Sequence, residues 1–286
     1  METKEQLHPI KTEGDEFIAL WQISSQESKS SKNIFLNHGT FSDRKICLSI
    51  SQYFARKGYH CWIMEWRNHG HSSPSSKKMN FENIGTDDYP IVFKYMFNIL
   101  KIKEIDCICH SGAGICLSIF LVENPKYFSK INRIAMFGSQ AFGANHNFKN
   151  HLKLLFGKYV NALLGYSPAK MFGRPHDEDY FFMKQWYDWN LTKKFIGMNG
   201  VDYEKEFQKI NIPILSICAK GDDFIASREG CEKFLNAFQN PNNKLLFCSI
   251  EDGFQEDYNH SRVLQSRNSS KEIWPKVADW LEGKTI

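Results

Sequence analysis

The stretch Ile105-Asp106-Cys107-Ile108-Cys109-His110-Ser111-Gly112-Ala113-Gly114 decides how this chain is read. Its first half is apolar and has the length of a buried strand. Its second half sets a serine among small residues, and an apolar run follows that can start a helix. A strand that turns sharply into a helix at a serine lifts the hydroxyl above the carboxyl end of a sheet, the layout of a nucleophile elbow. The turn is strained, so the residues two before and two after the serine must be small. Here they are Cys109 and Ala113, and Cys109 stands where a glycine is usual. Taken alone, the segment also fits a buried strand followed by any glycine-bearing turn.

A serine hydroxyl is a weak nucleophile at neutral pH. It needs a base to take its proton and a third group to orient that base. Downstream, residues 213–219 read as a buried strand that empties into a turn carrying Asp222 and Asp223. Residues 244–250 read as another strand, and Asn259-His260-Ser261-Arg262 follows it ahead of a helical C-terminus. An acid and then a histidine therefore each follow a late strand. Negative charge developing on a carbonyl oxygen also needs fixed N–H donors. The strand-like run Ile34-Phe35-Leu36-Asn37 ends in His38-Gly39-Thr40, which assigns the donors to the backbone N–H groups of Thr40 and Gly112, with Phe41 as the fallback for the first. His38 alone also fits a strand-end histidine that merely packs.

On these residues the chain resembles the α/β-hydrolase superfamily, its lipase- and esterase-like members in particular, over most of its length. Trp62-Ile63-Met64-Glu65-Trp66-Arg67-Asn68-His69-Gly70-His71-Ser72-Ser73 resembles the superfamily's D-x-R-G-x-G-x-S turn, with Glu65 for the Asp and Asn68 for a Gly. Residues 81–90 resemble the segment before the elbow in lipase-like members. Residues 165–168 and 184–190 resemble insertions in bacterial predicted hydrolases labelled serine-aminopeptidase-like. The resemblance implies a serine hydrolase that cleaves a carboxylic ester with Ser111, His260 and Asp222, Thr40 and Gly112 holding the oxyanion. The superfamily's usual spacing from strand end to acid favours Asp222 over its neighbour Asp223. A thioesterase or acyltransferase would use the same triad. A peptidase would need an acidic cluster for a substrate amine, which residues 141–205 do not offer. An inactive hydrolase-like fold used for binding would be marked by loss of a triad residue. An epoxide hydrolase or dehalogenase would carry aspartate where Ser111 stands.

Strand-like and helix-like segments alternate along the chain. Strands are expected over 17–23, 33–36, 59–66, 105–110 and 131–137. Helices are expected over 44–56, over 87–100 with Ile91, Tyr95 and Ile99 on one face, and from Ser111 to about residue 122, with a stop at Asn124-Pro125. This alternation predicts an α/β fold with a doubly wound, mostly parallel sheet, whose ligands bind at the carboxyl ends of the strands. Residues 24–32 read as a hairpin-like loop. Between about 140 and 206 no strand is expected and large apolar residues abound. This segment reads as a helical cap over 141–205, set between core segments 1–140 and 206–286. Each of its apolar side chains taken singly fits the cap's own core, yet some must face the serine if the cap closes over it. Trp186 and Trp189, with His38 and His110, are the expected lining. Such a pocket favours an apolar acyl chain or an aromatic leaving group, so the expected partner is a small-molecule or lipid-like ester.

Bulk composition narrows the classes further. The 286 residues suit one large domain with an insertion. The net charge of +4 is too mild for a nucleic-acid binder, and Lys77, Lys78, Lys101 and Lys103 read as solvated surface. The charged start Met1-Glu2-Thr3-Lys4-Glu5-Gln6 leads to the expectation of no signal peptide, and no apolar run is long enough to cross a bilayer. Cys61, Cys107, Cys109, Cys218 and Cys248 fall inside expected strands as small buried hydrophobes. Reduced thiols and a cytoplasmic home follow as expectations. His69 and His71 lack the companions of a metal set, and the glycines after Ser111 form no phosphate-binding pattern, so neither metal nor cofactor is expected.

Overall fold

The computed structural model describes residues 2–25 and 32–286. Its main sheet holds β1 (Thr3–Lys11), β2 (Phe17–Ser25), β3 (Asn33–Asn37), β4 (His60–Met64), β5 (Ile105–His110) and β6 (Ile131–Phe137). A two-residue ladder, β7 (Tyr166–Ser167) with β8 (Glu178–Asp179), lies apart from it. The strands β9 (Ile214–Ala219) and β10 (Lys244–Cys248) complete the main sheet. The order is β1-β2-β4-β3-β5-β6-β9-β10. The β1–β2 and β2–β4 pairs are antiparallel, and every other pair in this sheet is parallel.

Parallel strands covered on both faces carry apolar residues at odd and even positions alike. Phe35, Trp62, Cys107, Cys109 and Met136 face one core, while Ile34, Leu36, Ile63, Ile108 and Phe137 face the other. The helix Lys45–Arg56 is amphipathic and buries Ile46, Cys47, Ile50 and Phe54. The helix Gly112–Glu123 is instead apolar nearly all round and sits inside the fold, with its first turn under Ser111. All eight cysteines are buried and free. Among the described residues no helix is long and apolar enough to cross a membrane.

Asp106 breaks the apolar run of β5. Burial pushes its carboxyl up to about 7, and Arg133 and Lys32 only partly oppose this. Its Oδ1 is buried without a hydrogen-bond partner among the described residues. A carboxyl whose pKa is raised on folding binds its proton more tightly folded than unfolded. Stability therefore falls as pH rises from about 4 to about 7. Asp106→Asn should raise Tm at pH ~8 and change it little at pH ~4. A larger gain at the acid end would contradict the assignment.

The structure departs from the expected elements in four places. The polar strand β1 was not anticipated. The helix expected over 87–100 begins earlier, at residue 81, and contains two wide turns, Ile84–Asp88 and Tyr95–Ile99. These wide turns rotate the buried face, so Tyr89, Val92, Phe93 and Met96 point inward while Ile99 is exposed. The segment between β6 and β9 is not purely helical, because β7 and β8 pair within it. Residues 24 and 25 of the expected loop extend β2, and residues 26–31 lie outside the described residues.

Candidate active site

Ser111 sits between β5 and the helix Gly112–Glu123 with φ 54° and ψ −124°. A non-glycine residue held there costs of order 1–3 kcal/mol and persists only where neighbours enforce it. Here the Ser111 N–H donates to the carbonyl of Phe137 at 2.8 Å, and Ser139 Oγ donates to the Ser111 carbonyl at 2.8 Å. The loop after β3 closes against this turn. A side chain at Gly39 would bring Cβ within 2.6 Å of Ser111 Cβ and 2.8 Å of the His110 carbonyl, so only glycine allows the approach.

His260 follows β10 and reaches the same place. Its Nδ1 lies 2.5 Å from Asp222 Oδ2. The other oxygen of Asp222 accepts the N–H groups of Ile225 at 3.1 Å and Ala226 at 3.2 Å. Burial pushes the Asp222 carboxyl up, but His260 and these two amides outweigh it and hold the pKa below the usual carboxylate value. Asp223 is exposed, and its backbone carbonyl is taken by the Asn150 side chain at 3.1 Å. His110 Nε2 donates to the His260 carbonyl at 2.9 Å and so anchors the His260 backbone. Burial, then the nearby His260, lowers the His110 pKa to about 3, and its Nδ1 is buried without a partner. The ring is therefore neutral, with its proton on Nε2.

Ser111 and His260 line one cavity of about 340 Å³ together with Thr40, Gly112, His110 and Trp186. Asp222 sits behind His260, outside the lining. Among the described residues no acceptor takes the N–H of Thr40 or of Gly112. The fallback donor is spoken for: Phe41 N–H donates to Glu178 Oε1 at 2.7 Å. His38 and Trp189 do not line the cavity. His38 is buried, donates from Nδ1 to the Gly39 carbonyl at 2.8 Å and accepts the Trp66 N–H at 3.1 Å. Trp189 donates to the Ile196 carbonyl at 2.8 Å and packs on Phe81 and Phe195. Both side chains are spent on structure.

Three residues missed in the sequence bear on this site. Lys153 and Arg174 line the cavity, and Arg174 Nη1 donates to Ser261 Oγ at 2.8 Å. Glu178 of β8 holds both Phe41 N–H and His69 Nε2, the latter at 2.9 Å. The other nitrogen of His69 faces the Arg67 carbonyl at 3.0 Å, so both ring nitrogens meet acceptors and the ring is an imidazolium. Burial opposes that charge, but Glu178 more than offsets it and raises the His69 pKa. Glu178 lies 137 positions from Phe41, so no local pattern marks it. Among the described residues no group of three His, Cys, Asp or Glu could hold a metal ion. His69 and His71 are each paired with a carboxylate, Glu178 and Glu65.

Glu178→Ala should free the Phe41 peptide and let Thr40 drift. The expected result is a kcat lower by about tenfold with KM little changed, and substantial recovery in Glu178→Gln, whose oxygen can still accept. A raised histidine pKa contributes stability below its unfolded value and loses it as pH rises through the folded value. The Tm gap between wild type and Glu178→Ala should therefore narrow with rising pH.

The profile of one protein family, described as the alpha/beta hydrolase fold, matches residues 32–155. That segment contains the His38-Gly39 loop, the elbow and β6, and the strand order around it is the one described above. The chain has the α/β-hydrolase fold. No curated protein matches the chain. Among solved structures, the α/β-hydrolase fold seen here is similar to the Pyrococcus furiosus esterase Pf2001, at 17% identity and TM-score 0.63, covering 98% of this chain and 93% of that one. It is also similar to mouse alpha/beta hydrolase domain-containing protein 10, at 10% identity and TM-score 0.66, covering 97% and 99%. A third similar structure is a Paleococcus ferrophilus monoacylglycerol lipase, at 12% identity and TM-score 0.64, covering 95% and 100%.

Proposed function

We propose that this chain is a serine hydrolase of carboxylic esters with an apolar acyl or alcohol part. The observation that carries the reading is the 2.5 Å contact from His260 Nδ1 to Asp222, set in one cavity with Ser111 and two unclaimed N–H groups. The Ser111 hydroxyl takes no hydrogen bond among the described residues, so it is free to turn toward Nε2 of His260 as a carbonyl enters. Ser111 Oγ attacks the carbonyl carbon and gives its proton to Nε2. Asp222 keeps the proton of Nδ1 in place and stabilises the imidazolium. The N–H groups of Thr40 and Gly112 hold the oxyanion. His260 then protonates the departing alcohol, and water cleaves the acyl-enzyme by the same route.

Substrate class follows from the walls. Phe81, Ile115, Met183, Trp186 and Phe224 make them apolar. A cavity of about 340 Å³ is at the small end for ligand sites, which favours short or medium chains. The test is hydrolysis of p-nitrophenyl esters from acetate to palmitate, beside labelling by a fluorophosphonate probe. A chain-length optimum with Ser111-dependent labelling is the expected outcome. Failure to cleave any ester in the series would overturn the ester reading.

A further inference from the structure

The helix Phe148–Leu164 is built inside out. Its inward face carries Asn150, Leu154 and Asn161. Its outward face carries Phe148, Leu152, Phe156, Tyr159 and Leu163, whose spacing of four, four, three and four residues makes one stripe. Phe148, Phe156, Tyr159 and Leu163 are 76%, 72%, 69% and 88% exposed. The buried asparagines are satisfied: Asn150 donates to the Ala144 and Asp223 carbonyls, and Asn161 to the Tyr187 hydroxyl. These apolar side chains therefore do not serve the protein's own core. Met171 and Phe172, also exposed, extend the apolar surface of this segment, and Phe172 lines the cavity that holds Ser111. Phe172 thus brings exposed apolar surface to the cavity, which Gly157 of the same helix also lines.

Charge selects the occupant. Residues 141–176 include Lys149, Lys153, Lys158, Lys170 and Arg174 and not one Asp or Glu. Of these, only Lys158 has a carboxylate partner among the described residues, Asp188 at 2.6 Å. A second copy of the chain would bring the same basic charge to the same stripe and be repelled. Lys153 lies over the Phe224 ring and, like Arg174, lines the cavity, so the ammonium groups of Lys149 and Lys170 are the ones without a partner among the described residues. An apolar stripe beside these two cations matches an anionic lipid surface, where the apolar side chains enter the acyl boundary and the ammonium groups meet headgroups. We infer that the outer face of the helix Phe148–Leu164, with Met171 and Phe172, docks on an anionic lipid surface and turns the mouth of the cavity toward it.

The test is sedimentation with vesicles of phosphatidylcholine alone and of phosphatidylcholine with phosphatidylglycerol. Ser111→Ala protein is used so that no lipid is turned over, which makes the result independent of the hydrolase reading. The expected result is binding to the anionic vesicles that high salt reverses. A Leu152→Glu/Phe156→Glu/Leu163→Glu variant should bind about tenfold less or weaker still. In a wild-type background the same variant should keep its Tm and its hydrolysis of water-soluble p-nitrophenyl acetate, since none of the three residues lines the cavity. Absence of binding to either vesicle, or undiminished binding by the variant, would overturn the inference. So would a dimer in sedimentation velocity that the variant splits and that binds no vesicle, because the face would then belong to a second copy.

Discussion

Ser111→Ala should lower turnover of p-nitrophenyl esters by about 10⁴-fold or more while leaving the fold intact. The hydroxyl makes no hydrogen bond among the described residues, so its removal strands no partner. The backbone conformation, φ 54° and ψ −124°, is equally unfavourable for serine and alanine, so Tm should hardly move. Ser111→Gly separates the two roles. Glycine relaxes that conformation, so the Gly variant should be as inactive as the Ala variant yet more stable by about 1 kcal/mol. A gain in Tm with loss of activity would show that the strain at this turn serves only to present an oxygen. Activity near wild type in either variant would remove Ser111 from the mechanism.

The second large effect separates two adjacent carboxylates. Asp222→Asn should cost about 10³–10⁴ in kcat, because an amide can neither fix the Nδ1 proton nor stabilise the imidazolium. Asp223→Asn should stay within about twofold, since the exposed Asp223 side chain is turned away and only its backbone carbonyl is engaged, by Asn150. The Asp222 pKa lies below its ordinary value in the folded chain. A depressed carboxyl contributes stability above its unfolded pKa and loses it as pH falls through the folded one. The Tm gap between wild type and Asp222→Asn should then be full at neutral pH and close below pH ~4. A larger kinetic loss in Asp223→Asn would move the acid by one position.

The sequence foretold the strands that carry a buried apolar run. Residues 131–137 were expected as a strand and form β6, whose last four residues, 134–137, are all apolar and buried. β1 escaped notice because Thr3-Lys4-Glu5-Gln6 alternates nothing apolar; it is an edge strand held by ladder bonds to β2. The helix expected over 87–100, with Ile91, Tyr95 and Ile99 on one face, departs from that pattern because its wide turns break the 3.6-residue period on which the expectation rested. At the candidate site, the proximity of Ser111, Asp222, His260 and the Thr40 loop was legible because each follows the end of a strand. Glu178 and Arg174 were not, since their contacts join distant segments. The outward stripe on the helix Phe148–Leu164 was misjudged as cap interior, because periodicity locates an apolar face without saying which way it points.

The enclosed thiols give a practical handle. All eight cysteines are buried, and burial pushes those of Cys47, Cys61 and Cys109 up, away from the reactive thiolate. Maleimides should therefore pass over the folded chain. A Leu163→Cys substitution, at a position 88% exposed, would create a single addressable sulfhydryl on the outer helix face. A polarity-sensitive dye attached there would report directly on what that face meets, without any change to the residues that line the Ser111 cavity.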